Sequence, residues 1–117
     1  MAVQLIRDLT NDFNAAHSVN VDIGGWDYAI LQLVSPSTTV NFLTSNDSGD
    51  VQSVSDGSAV SATNFVSVSG TKLSDGTLVT SLAASGLVRF GYIGRYLQFS
   101  GTAVTATKVL LRLFKIC

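Results

Sequence analysis

A chain of 117 residues with a formal charge of −1 has room for one hydrophobic core, and it has no basic excess with which to displace counterions from nucleic acid. A dedicated DNA- or RNA-binding role is therefore disfavoured. Charged residues make up 13% of the chain, about half the usual share, so the surface must be covered by Ser, Thr, Asn and Gly or by another protein. All eight acids are Asp and none is Glu, which favours turns over helices. No apolar run is long enough to span a membrane, and the N-terminus lacks the apolar run of a signal peptide. The one cysteine, Cys117, has no internal partner, which fits synthesis inside a cell.

Residues 1–17 differ from the rest. Leu5, Ile6, Leu9 and Phe13 fall at helical spacing with Asp8 and Asp12 between them, so the segment reads as a short amphipathic helix or an extended arm that docks on a neighbour. From Ser18 the strand signals are regular. Val19-Asn20-Val21-Asp22-Ile23 alternates and stops at Gly24-Gly25. Trp26–Val34 is apolar on both parities, and Ser35-Pro36-Ser37 ends it. Thr38–Phe42 alternates, and Val51–Ser55 alternates again before Asp56-Gly57. Phe65–Val68, Lys72-Leu73, Leu78–Leu82, Leu87–Phe90, Arg95–Phe99 and Val104–Ile116 follow, separated by Gly70, Asp75-Gly76, Gly86, Gly94 and Gly101. Roughly eight to ten strands at spacings near 8 to 12 residues, with no strand–helix alternation, predict an all-β antiparallel sandwich of jelly-roll type over residues 18–117. Ser48-Gly49, Asp56-Gly57 and Asp75-Gly76 are the expected hairpin turns.

Chemistry is sparse. Asn46, Asp47, Asp50 and Asp56 could offer oxygens to Ca²⁺, but no Glu stands where an EF-hand loop needs one, and turn Asn and Asp side chains commonly cap their own backbone. His17 is the only histidine. Ser18 and Asp22 stand near it, yet no glycine pattern marks a nucleophile elbow, and one His with one Cys makes no zinc site. The Asp residues fall in turns, where carboxyls lack catalytic poise. Gly91-Tyr92-Ile93-Gly94-Arg95 reads as a tight hairpin, since no helix follows to make a phosphate loop. No catalytic residue, cofactor or metal is expected. Trp26, Tyr28, Tyr92 and Tyr96 could stack on sugars, but Trp26 and Tyr28 share a parity with Ile30 and Val34 and read as core.

The last strand is more informative. Val109, Leu111 and Leu113 line one face, while Leu110, Phe114 and Ile116 share the other with Lys108 and Arg112. One thin sandwich buries only one of these faces, so something else must cover the second, and in a chain this low in charge another subunit is the expectation. Leu5, Ile6, Leu9, Phe13, Leu110, Phe114 and Ile116 are the expected protein-interface residues.

The run Val40-Asn41-Phe42-Leu43-Thr44-Ser45-Asn46-Asp47-Ser48-Gly49-Asp50-Val51-Gln52-Ser53-Val54 resembles a small β-sandwich module of tailed-phage virion proteins, as do Ala84-Ser85-Gly86-Leu87, Gly94-Arg95-Tyr96-Leu97-Gln98-Phe99 and the closing strand. The resemblance runs from Trp26 to the end. It implies a non-enzymatic part of a phage particle, made in the host cytoplasm and resident in the virion. A capsid decoration (cement) protein, acting as a homotrimer on the major capsid protein or other virion proteins, is the expectation. A carbohydrate-binding attachment module of a tail or fibre is the alternative. On that resemblance the 46–50 turn is a conformational device of the module and not a site.

Overall fold

Strict alternation around Val19 and Val21 gives a strand with one apolar face, and that strand is the edge of one of two antiparallel sheets. The computed structural model describes residues 2–46, 64–91 and 95–116. The Ser48-Gly49 and Asp56-Gly57 turns, the Val51–Ser55 strand, Tyr92 with the 92–94 hairpin tip, and Cys117 lie outside those residues. In chain order the described residues form β1 (Ala2–Asp8), α1 (Thr10–Ala16), β2 (Ser18–Asp22), β3 (Tyr28–Val34), β4 (Val40–Ser45), β5 (Val66–Ser67), β6 (Gly70–Lys72), β7 (Leu78–Val79), β8 (Ser81–Leu82), β9 (Gly86–Gly91), β10 (Tyr96–Ser100) and β11 (Lys108–Ile116).

One sheet has the order β1-β11-β3-β9-β6-β7, and the other β2-β10-β4-β5, with β8 also paired to β4. The first strand thus pairs with the last and the second with the last but one, as in a double-stranded ribbon folded over on itself. The order β1-β11-β3-β9 opposite β2-β10-β4-β5 is the double Greek-key order of a jelly roll. The expected all-β sandwich is the observed fold.

Alternation decides what the sheets bury. Leu31, Leu33, Val88, Phe90, Val109, Leu111 and Leu113 of the six-stranded sheet meet Val19, Val21, Val40, Phe42, Leu97 and Phe99 of the other in one core. Phe42 sits edge-on to both Phe90 and Phe99, with centroids 5.1 and 6.0 Å away, an arrangement that suits the ring quadrupoles. Gly70 belongs here for lack of a side chain: a Cβ on it would run into Val88 and Phe90. The expected Asp75-Gly76 turn joins β6 to β7, with Gly76 at φ 76° and the Asp75 carboxylate accepting from Thr77 N at 3.1 Å.

Three expectations are corrected. Residues 1–17 are not an arm apart from the sandwich. β1 pairs with β11 over its whole length, from Ala2↔Ile116 to Asp8↔Leu110, and Leu9 and Phe13 lie in the core. Helical spacing arose because an inward-facing strand residue, Leu5, is followed by a true helix whose buried residue is Phe13. Second, Tyr28 and Ile30 do not face the core. The register Leu31↔Leu111 and Ala29↔Leu113 points Ala29, Leu31 and Leu33 inward and their neighbours outward. Trp26 precedes the strand and packs half-buried against the core. Third, Leu78–Leu82 is not one strand. The chain leaves the six-stranded sheet at Val79 and joins the other at Ser81, so one five-residue stretch serves two sheets.

Candidate interaction face

The outward side of the six-stranded sheet follows from the same registers. Ile6 pairs with Arg112, Arg112 with Ile30, Ile30 with Arg89, and Arg89 with Thr71, so these residues form one row across five strands. A flanking row runs Asp8, Leu110, Gln32 and Leu87, and on the other side Phe114 lies beside Tyr28. Ile6 is 56% exposed, Leu73 45% and Leu87 42%. With the half-buried Ile30 and Leu110, and with Gln32 and Arg112, they line a groove of about 310 Å³. Three exposed aliphatic side chains thus gather around one groove on this face.

The polar part of the face is organised by two aromatic rings. Tyr28 and Phe114 stack with centroids 4.5 Å apart and planes 9° from parallel. The Arg89 guanidinium lies 4.5 Å from the Tyr28 centroid and that of Arg112 5.8 Å from the Phe114 centroid. Such contacts hold a guanidinium by its face and leave its in-plane N–H groups free to donate. At the edge, Lys108 and Asp8 approach to 3.6 Å. Hydrogen bonds from the Thr10 hydroxyl at 2.6 Å and amide at 3.0 Å keep the Asp8 carboxyl below its ordinary range.

The opposite sheet has a different outer surface. Asn20 and Gln98 face outward there and hydrogen-bond at 2.8 Å, and Ser18, Asn41 and Ser100 lie in the neighbouring row. Leu43 continues the Asn20–Gln98 row, so that surface mixes uncharged polar groups with one half-buried leucine, whereas the six-stranded sheet presents aliphatic, aromatic and arginine side chains.

Of the seven expected interface residues, Ile6, Leu110 and Phe114 share this outer face. Leu5 packs against the core from the other side of β1, and Leu9 and Phe13 are buried within the core at 3% and 0% exposure. The latter two are therefore structural residues of the fold, which corrects their assignment as contact residues. Ile116 ends β11 opposite Ala2, and its side chain lies outside the described residues. The sequence reading missed Tyr28, Ile30, Leu73, Leu87 and Arg89. For Leu87 and Arg89 a signal existed, since they alternate with the buried Val88 and Phe90.

The other candidates have architectural partners. His17 ends α1 at φ 60°, and its Nδ1–H donates to the Val104 carbonyl at 2.8 Å, tying the helix to the loop before β11. A carbonyl only accepts, so Nδ1 carries the proton. Asn46 Oδ1 accepts from the Arg95 amide at 2.9 Å, while Asp47, Asp50 and Asp56 lie outside the described residues. Among the described residues no group of three or more His, Cys, Asp or Glu is placed to hold a metal ion. Tyr96 is 2% exposed and offers no open stacking surface. Arg95 donates from Nε and from a terminal nitrogen to the two oxygens of the buried Asp22 at 3.0 and 2.9 Å, which raises the Arg95 pKa and fastens β10 to the end of β2.

No protein-family model matches the chain, and no curated protein matches it. Among solved structures, the crystal structure of the SPBc2 prophage-derived protein YomS is similar, with a TM-score of 0.62 and 14% identity over 97% of this chain and 93% of that one. The likeness shows a shared fold that takes in nearly the whole of both chains. It includes the β1–α1 segment, which the phage-module resemblance in the sequence did not cover.

Proposed function

We propose that this chain is a non-enzymatic structural component of a phage particle, and specifically a capsid decoration protein that binds the shell as an oligomer. The observation that carries the proposal is the outer face of the six-stranded sheet, aliphatic and arginine-bearing on a chain otherwise poor in charge. A cement protein works by adding apolar contact across shell joints, at about 25 cal/mol per Å² buried, and this face supplies such contact from a rigid sheet. The virion-module resemblance of residues 26–117 and a fold shared with a prophage-derived protein support the phage setting.

Purified particles of the phage or prophage that encodes the chain test this reading. Mass spectrometry should find the chain at a stoichiometry matching shell subunits, and an image of particles carrying a labelled copy should place the label over the capsid. Label confined to the tail would replace this reading with the tail or fibre attachment role. Absence from the particle would remove both.

A further inference from the structure

We infer that the outer face of the six-stranded sheet receives a protein segment carrying carboxylates beside aliphatic side chains, and that Arg89 and Arg112 are the groups that read those carboxylates. The inference deepens the docking role proposed above and rests on it only in taking this face as the one that docks.

Charge carries the choice of occupant. Asp8 is the one carboxylate among the described residues in these outer rows, and it is engaged by Thr10 and Lys108. Arg89 and Arg112 have no carboxylate partner among the described residues; their neighbours are the Tyr28 and Phe114 rings. Two guanidiniums with no carboxylate partner among the described residues therefore stand on an apolar surface of a chain whose formal charge is −1. A second copy docked face to face would bring two more arginines, and its one carboxylate among the described residues of these rows, Asp8, is already engaged by Thr10 and Lys108. A partner presenting Asp or Glu meets both guanidiniums with the planar, two-pronged geometry that arginine favours. The groove beside Arg112, floored by Ile30 and Leu110 and rimmed by Ile6, Leu73 and Leu87, takes the aliphatic side chains between the acids. Closing that apolar surface beside the ion pairs lowers the local dielectric and strengthens their attraction, while the solvent-facing edge of the guanidiniums limits the desolvation cost.

The probes are three short labelled peptides of alternating residues, leucine–aspartate, leucine–asparagine and leucine–lysine, titrated against the purified chain by fluorescence anisotropy. The aspartate peptide should bind at least about tenfold more tightly than the asparagine peptide, with the lysine peptide weakest. The Arg89→Gln/Arg112→Gln variant should lose that advantage, while Arg89→Lys/Arg112→Lys, folded by circular dichroism, should keep part of it. Equal binding of the aspartate and asparagine peptides to the native chain overturns the inference, even if the glutamine variant fails to fold. Self-association that depends on Arg89 and Arg112, measured by sedimentation equilibrium, also overturns it and makes the occupant a second copy. Failure of the native chain to bind particles would instead count against the docking role and leave the peptide result standing.

Discussion

Asn14 and Ala106 exchange two hydrogen bonds, one from Nδ2 to the Ala106 carbonyl at 2.9 Å and one from the Ala106 amide to Oδ1 at 2.8 Å. A side chain here takes the part of a strand neighbour, satisfying backbone groups of the loop that leads into β11. Thr10 does the same one turn earlier, its hydroxyl oxygen accepting from the Val109 amide at 2.9 Å. The helix is therefore stitched to the last strand by polar groups and seated in the core by Phe13.

Removing residues 1–17 should accordingly abolish cooperative folding, because it strips β1 from β11 and takes Leu9 and Phe13 out of the core. Phe13→Ala alone should cost about 3–5 kcal/mol in urea unfolding. A truncated chain that keeps a native β-sheet circular-dichroism spectrum and a sharp melt would contradict this account of the N-terminal segment.

Neighbouring leucines on β11 should behave oppositely. Leu111 is fully buried, and Leu111→Ala should cost about 2–5 kcal/mol. Leu110 lies half-buried on the outer face, and Leu110→Ala should cost about 1 kcal/mol or less in the isolated protein. Denaturant melts of the two variants give the comparison, and equal losses would show that the outer face is covered within the chain itself.

The two ion pairs should also differ. Asp22 is almost wholly buried against Arg95, so Asp22→Asn should clearly lower the urea midpoint. Lys108 and Asp8 are each about half exposed, and Lys108→Gln should change stability by no more than about 0.5 kcal/mol. Added salt should weaken only the second pair.

How much of this was legible beforehand depended on whether a run of residues carried one period or two. β2, alternating strictly, was placed within a residue. The outer position of Leu110 and Phe114 was also legible, because Lys108 and Arg112 share their parity. β3 is apolar on both parities except at Gln32, so its one mark of an outward face is a single residue; the register with β11 and β9 fixes the choice. The sheet change falls at Thr80-Ser81, a polar pair that also fits one alternating strand, and the pairing of β1 with β11 joins residues more than a hundred positions apart in sequence. Such non-local pairings are set by the whole ribbon, and no window of sequence contains them.

Acid should expose two turn carboxylates. Asp8 and Asp75 are held below the ordinary value of 3.8, first by the hydroxyl hydrogen bonds of Thr10 and Thr77 and then by the amides of the same residues. With the native pKa depressed, their contribution to stability is complete above 3.8 and is lost as the pH falls below it through the native values. Both groups are exposed, so the effect is small. Thermal midpoints of the native chain should fall more steeply over that acid range than those of Asp8→Asn/Asp75→Asn; parallel curves would contradict the assignment.

The most direct measurement of the docking face is binding of purified protein to particles that lack it, comparing the native chain with Ile6→Ser/Leu87→Ser and with Val66→Ser. All three substituted side chains are exposed, and Val66 lies on β5 of the opposite sheet. The account predicts that the Ile6→Ser/Leu87→Ser protein melts like the native chain yet binds particles at least about tenfold more weakly, while Val66→Ser binds normally. Native binding by the Ile6→Ser/Leu87→Ser protein, or equal loss in Val66→Ser, would contradict docking through the six-stranded sheet.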